Sequence, residues 1–266
     1  MNALESYYIK ANEEKRLLSR HGQVEYFVTM HYIQAMIEKI KEEKEITHNS
    51  KISIIDVGAG TGRYSVALAE QGYDVTAVDL LNCNIDIMKE KNSPIKIYRG
   101  NAMDLGQFPN ERFDIVIMLG PMYHVFGEDN KIKVLSESFR LLKPGGIILV
   151  AYCLNEYNIV AHAFVERQIG DFLKEKKISK EFCTIGTEKD VFDYVRIEDI
   201  NRINSMFALE RIKIISPDGP TDYIRSALAL LSEEEFNLFK NYQLSICERM
   251  DLIGAGSSVV DILRKV

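Results

Sequence analysis

Between Lys51 and Cys153 the chain alternates short, nearly unbroken apolar runs with longer stretches that mix apolar and polar positions. The runs at 52–57, 74–78, 95–98, 113–119 and 147–153 read as strands buried on both faces, since a half-exposed strand would show strict alternation. The stretches at 62–71, 84–90 and 130–142 read as helices. In the last of these, Ile132, Leu135, Phe139 and Leu142 recur at spacings of three and four and predict one buried face. Lys143-Pro144-Gly145-Gly146 then stops that helix and turns the chain into the next strand. Ahead of this core, residues 22–43 predict a helix with Val24, Val28, Tyr32, Met36 and Ile40 on one stripe. Behind it lie predicted helices at 162–177 and 197–206, a strand at 210–215, helices within 223–250 and a final strand at 258–264.

Alternating strands and helices predict an α/β fold, a three-layer open sheet of mostly parallel strands. Counting the two late strands, the sheet has seven. Ligands of such sheets bind at the carboxyl ends of the strands. No Pro/Gly/Ser-rich linker interrupts the chain, so residues 1–266 are expected to form one domain. Residues 1–50 would then be an N-terminal helical segment and 154–205 an inserted cap.

Composition narrows the range of ligands. The chain has a net charge of −6, which argues against a broad phosphate-binding surface and so against a nucleic-acid partner. Local basic patches, such as Lys15, Arg16 and Arg20, stay open. Four scattered cysteines without a C-x-x-C pair read as reduced thiols in a cytoplasmic protein rather than a disulfide framework or zinc site. The first residues lack the basic-then-apolar order of a signal region, and the longest apolar run, 147–154, is too short to cross a bilayer.

The sharpest local signal is Asp56-Val57-Gly58-Ala59-Gly60-Thr61-Gly62-Arg63, directly after the first strand. A dinucleotide-binding G-x-G-x-x-G loop would need its third glycine where Arg63 stands. The D-x-G-x-G-x-G form resembles instead the first motif of class I S-adenosylmethionine-dependent methyltransferases. Further carriers are Asp79 at the end of the second strand, Asn101-Ala102 after the third, and Leu142-Lys143-Pro144-Gly145-Gly146. The resemblance implies an antiparallel last strand in the seven-stranded sheet and S-adenosylmethionine as cofactor, with S-adenosylhomocysteine as product. It implies a cofactor site made of Asp56, Gly58, Ala59, Gly60, Gly62, Arg63, Asp79, Leu80, Asn101, Ala102, Met103 and Leu119. Asp79 could accept both ribose hydroxyls of an adenosine group, or be a solvated loop acid. Asn101 stands where the family usually has Asp, and an amide oxygen can still accept from an amino group.

The acceptor side is less legible. Gly120-Pro121-Met122-Tyr123 resembles the N-P-P-Y signature of methyltransferases acting on base amines, but lacks the residue that holds the amine. His124 and Tyr123 are candidates near the acceptor, His124 as general base or as a structural group bonded to backbone. His21 and Tyr26, with Arg20 as a carboxylate holder, form a second cluster at the start of the N-terminal helix, where relatives often carry a lid. Tyr7 and Tyr8 share that reading more weakly. The aromatics Tyr157, Phe164, Phe172, Phe182, Phe192 and Tyr194 of the insertion could line a pocket or fill a core. No metal is implied, and Glu128 and Asp129 are expected to begin a helix.

These readings imply in-line transfer of a methyl group to a small-molecule acceptor. An RNA or protein methyltransferase, a non-catalytic S-adenosylmethionine-binding protein and an NAD(P)-dependent oxidoreductase stay open at this point. The acceptor, the use of a general base and the oligomeric state are not encoded in any motif found.

Overall fold

The computed structural model describes residues 4, 6–8, 16 and 18–266. Lys15, and with it part of the basic patch, lies outside the described residues, as does most of the segment before Arg20. Helix α1 (Arg20–Glu43) is capped by Ser19, whose Oγ accepts from Gly22 N. All five residues of its expected stripe are buried, together with Ile33 and Ile37. Strands β1 (Ser53–Val57), β2 (Asp74–Asp79), β3 (Lys96–Arg99), β4 (Phe113–Met118) and β5 (Leu142–Leu154) follow, with helices α2 (Arg63–Glu70), α3 (Asn82–Glu90) and α4 (Glu128–Leu141) between them. The chain then passes through the insertion to β6 (Tyr194–Val195), helix α6 (Ile197–Asn204), β7 (Leu209–Ile215), helices α7 (Arg225–Leu230) and α8 (Glu233–Ile246), and β8 (Ser258–Lys265). Helix α5 (Ile169–Lys174) belongs to the insertion.

The sheet order is β3-β2-β1-β4-β5-β8-β7, with β8 antiparallel to both β5 and β7 and every other pair parallel. Short β6 adds an eighth strand beside the end of β5, a pairing too brief to show as an apolar run. Alternate residues of the central strands serve opposite layers. Ile115 and Ile117 pack under α1 and α2, whereas Val116 and Met118 pack under α4. This is the three-layer α/β arrangement expected from the pattern. Among the described residues no helix is long and apolar enough to cross a membrane.

Two local expectations are corrected. Helix α4 ends at Leu141, and Leu142 already pairs with Phe113 in the sheet, so the buried helix face runs through Val134, Leu135, Ser138 and Leu141. Ile132 and Phe139 sit at its edge, because the sheet captured Leu142 and rotated the face toward β4. The expected helix at 162–177 is also absent as one element. A π-helical stretch, Asn158–Val165, stops at Arg167, whose φ of 59° reverses the chain before α5. The reversal lets Ile159 and Ala163 pack with Ile178, Ile169 and Phe172 in a small core of their own.

Candidate functional site

The β1–α2 turn is built on left-handed backbone. Gly58, Gly60 and Gly62 have φ of 72°, 57° and 82°, a region costly for residues with a Cβ. A Cβ at Gly58 would stand 2.6 Å from the Pro121 ring, whereas a Cβ at Gly60 would meet nothing within 4 Å. The turn is therefore closed on its Gly58 side and open at Gly60. Asp79, at the end of the neighbouring β2, holds this shape: its carboxylate accepts from Gly60 N and Leu81 N, each at 2.8 Å, and from Asn84 Nδ2 at 3.1 Å. Burial raises its pKa from the usual carboxylate range.

Asp56 is placed differently from an open ligand contact. It is buried, its carboxylate accepts from Ser65 Oγ at 2.6 Å, and burial pushes it up to about 7. It supports the turn from below by tying β1 to α2. Asn101 Oδ1 accepts from Met103 N at 3.0 Å, which folds the β3 loop so that Ala102 and Met103 pack against the core. Leu80 is exposed just beyond β2. Arg63 Cζ lies 4.2 Å from the centre of the Tyr26 ring.

Beside this turn, at the carboxyl ends of β4 and β5, lies a cavity of about 520 Å³. Leu119 and Tyr123 of the β4 loop line it, as do His21 and Glu25 of α1 and Cys153 of β5. Of the insertion's aromatics, Tyr157, Phe172, Phe192 and Tyr194 reach it, and Tyr7 and Tyr8 join them from the N-terminal segment. Phe164 and Phe182 point to solvent instead.

The four acceptor-side candidates are not brought together. Tyr26 stacks with Tyr64 and Arg63 but lines, with Arg63, a separate surface cleft. His124 is half-buried with both nitrogens engaged. The Val191 carbonyl, 2.8 Å from Nδ1, requires a proton there, so Nε2 accepts from the Tyr8 hydroxyl at 2.7 Å. Burial lowers its pKa to about 4, so near neutral pH it is an uncharged fixture. Tyr123 donates to Leu119 O at 2.7 Å, and burial raises its phenol well above the usual value.

His21 does face the cavity. Ser19 Oγ donates to Arg16 O, so it must accept from His21 Nδ1 at 2.9 Å, which leaves Nε2 as the basic nitrogen, 3.9 Å from Asp222. Burial and Arg225 lower its pKa, keeping it neutral at pH 7. Arg20 turns away: it donates to Glu233 at 2.7 Å and covers the Phe236 ring, so the carboxylate it holds is on α8.

The insertion is fastened to the β4 loop. Buried Lys131 donates to Met122 O and Val125 O and to Asp193 Oδ2 at 2.8 Å, and Asp193 N donates to Tyr123 O. Sequence reading missed Asp218 and Asp222, which line the cavity after β7. The signal was there in Pro217-Asp218-Gly219-Pro220, a turn sequence directly behind a strand at the ligand-binding end of the sheet.

The "Methyltransferase domain" family model matches residues 55–150. A glycine/sarcosine N-methyltransferase of Aphanothece halophytica is 33% identical over 116 residues, which cover 42% of this chain and 43% of that one. A ubiquinone biosynthesis O-methyltransferase of Rickettsia typhi is 34% identical over 125 residues, 45% of this chain and 47% of that one. The chain thus spans about half the length of the curated relatives it matches. A solved S-adenosylmethionine-dependent methyltransferase from Thermotoga maritima superposes over 98% of both chains with a TM-score of 0.55 at 19% identity, a likeness of fold. Residues 55–150, which include the glycine turn, thus match a methyltransferase domain, and the fold is that of Rossmann-like class I S-adenosylmethionine-dependent methyltransferases.

Proposed function

We propose that this chain transfers a methyl group from S-adenosylmethionine to a small-molecule acceptor. The observation that carries the reading is that the glycine turn, open at Gly60, and an aromatic-walled cavity lined by Tyr64, Leu119 and Tyr123 lie at the same end of the sheet. The residues suit the cofactor. Thr61 Oγ1 is buried in the turn without a partner, and Gly60 leaves room for a ligand at the backbone. Gly58–Gly62, Asp79 and Asn101 would hold it. When bound, the cofactor supplies a methyl carbon that its sulfonium makes electrophilic.

What remains for the protein is positioning and exclusion of water. Tyr7, Tyr8 and the insertion cover the cavity, and the Lys131–Asp193 tie sets their place over the β4 loop. For a hydroxyl acceptor, His21 Nε2 is the neutral base on the cavity wall. A volume of about 520 Å³ suits a small molecule and not a folded macromolecule. The net charge of −6 also disfavours an RNA acceptor.

The test is to incubate the protein with S-adenosylmethionine and a panel of acceptors and to follow S-adenosylhomocysteine. Calorimetry should show S-adenosylhomocysteine binding. NADH binding in its place would overturn the reading.

A further inference from the structure

The cavity wall is unevenly charged. Glu25 is paired with Arg16 at 2.9 Å and Asp222 with Arg225 at 2.5 Å, Glu166 lies 2.8 Å from His162, and Asp190 accepts from the Thr187 hydroxyl at 2.8 Å. Asp218 has no cation among the described residues. Its side chain is 4% exposed yet lines the cavity; Oδ2 accepts from Ser257 Oγ, and Oδ1 is buried without any hydrogen-bond partner. A buried carboxylate left like this costs free energy that a cationic ligand would recover.

The groups around Asp218 do not supply that cation. Glu25 and Asp222 are the charged neighbours felt most strongly, and with burial they push its carboxyl up to about 7. The wall also carries a set of aromatic rings. Phe192 is stacked edge-on with Tyr7 at 5.2 Å and lies 6.3 Å from Tyr194 and 5.9 Å from Tyr123, a continuous run of rings. Burial raises the phenols of Tyr123, Tyr157 and Tyr194, so the rings stay neutral, with negative faces available to a cation. Aromatic rings together with a buried carboxylate whose Oδ1 lacks a partner select an organic ammonium over a metal ion, an anion or a neutral alcohol.

Resting on the methyltransferase reading, we infer that the acceptor is an alkyl or arylalkyl amine, bound as its ammonium with an N–H to Asp218 against the Phe192–Tyr194 rings. Before transfer the ammonium gives one proton to the Asp218 carboxylate. The freed lone pair on nitrogen then forms the N–C bond as the C–S bond breaks, and the electrons of that bond stay on sulfur.

The experiment uses the full chain saturated with S-adenosylhomocysteine and compares phenethylamine with its neutral isostere 2-phenylethanol by calorimetry. In parallel, S-adenosylmethionine turnover is followed with each compound. The amine should bind at least tenfold more tightly than the alcohol and yield an N-methyl product. Asp218→Asn should erase that preference while leaving S-adenosylhomocysteine affinity intact, which also shows the variant is folded. Phe192→Leu, keeping apolar bulk without the ring, should reduce the preference severalfold. Equal binding of amine and alcohol, or turnover of the alcohol alone, overturns the amine assignment and leaves the methyltransferase reading standing. No S-adenosylhomocysteine binding at all overturns that reading and the amine assignment with it.

Discussion

The Tyr8 hydroxyl donates to His124 Nε2 at 2.7 Å, while Nδ1 of the same ring donates to the Val191 carbonyl at 2.8 Å. One imidazole therefore joins the N-terminal segment, the β4 loop and the end of the insertion. Its neutrality is a condition of the arrangement, since a proton on Nε2 would abolish the bond from Tyr8.

That requirement makes stability depend on pH. His124 is neutral in the folded chain down to about 4, whereas the unfolded imidazole takes up a proton below its ordinary 6.5. Its contribution is complete above pH 6.5 and is lost as pH falls toward 4, by about 3 kcal/mol. Denaturant titrations at pH 7 and pH 4.5 should show this loss in the native protein and a smaller one in His124→Phe. The same slope in both proteins would remove His124 as its source.

The glycine turn should separate stability from binding. Gly58→Ala drives a Cβ into Pro121 on left-handed backbone and should cost roughly 2–5 kcal/mol. Gly60→Ala carries only the backbone strain, about 1–2 kcal/mol, but fills the open side of the turn. Thermal melts should therefore rank Gly58→Ala as the worse destabiliser. Calorimetry should show S-adenosylhomocysteine affinity reduced tenfold or more in Gly60→Ala.

Asp79→Ala should weaken cofactor binding by roughly ten- to a hundredfold, the loss of charge-assisted bonds worth about 1.5–3 kcal/mol. The structure adds a stability cost. Removing the carboxylate strands Gly60 N, Leu81 N and Asn84 Nδ2, about 1–3 kcal/mol for a buried group left unmet. Asp79→Asn, which can still accept, should lose less on both counts. Wild-type affinity in Asp79→Ala would make the residue a scaffold of the turn alone.

Cofactor or product should slow hydrogen exchange at 20–26 and 155–193 and leave the sheet core unchanged. These segments cover the cavity with few of the sheet's buried contacts, so local opening there costs less. The stretch 191–193, tied by His124 and Lys131, should already be protected without ligand. Identical exchange with and without ligand in both segments would remove the lid.

The strands from β1 to β5 and the glycine turn were legible because their signals are local. Buried parallel strands are continuous apolar runs, and Gly58–Gly62 needs glycine for its own backbone. Helix α4 was found but its face misjudged, since which residues of an apolar-rich helix turn inward depends on where the sheet takes the chain back at Leu142. The helix expected at 162–177 was lost to a reversal at Arg167 that pays only when Ile159 and Phe172 meet through space.

By itself, the sequence determined the α/β class, the sheet's parallel core and the glycine turn with Asp79, because period and backbone strain act over a few residues. Only the tertiary structure decided what each polar side chain faces. It made His124 a neutral, half-buried fixture, sent Tyr26 and Arg20 to other partners, and left His21 and Asp218 on the cavity wall. Their partners lie far along the chain, 67 and 116 positions for His124 and 213 for Arg20, and no local pattern carries them.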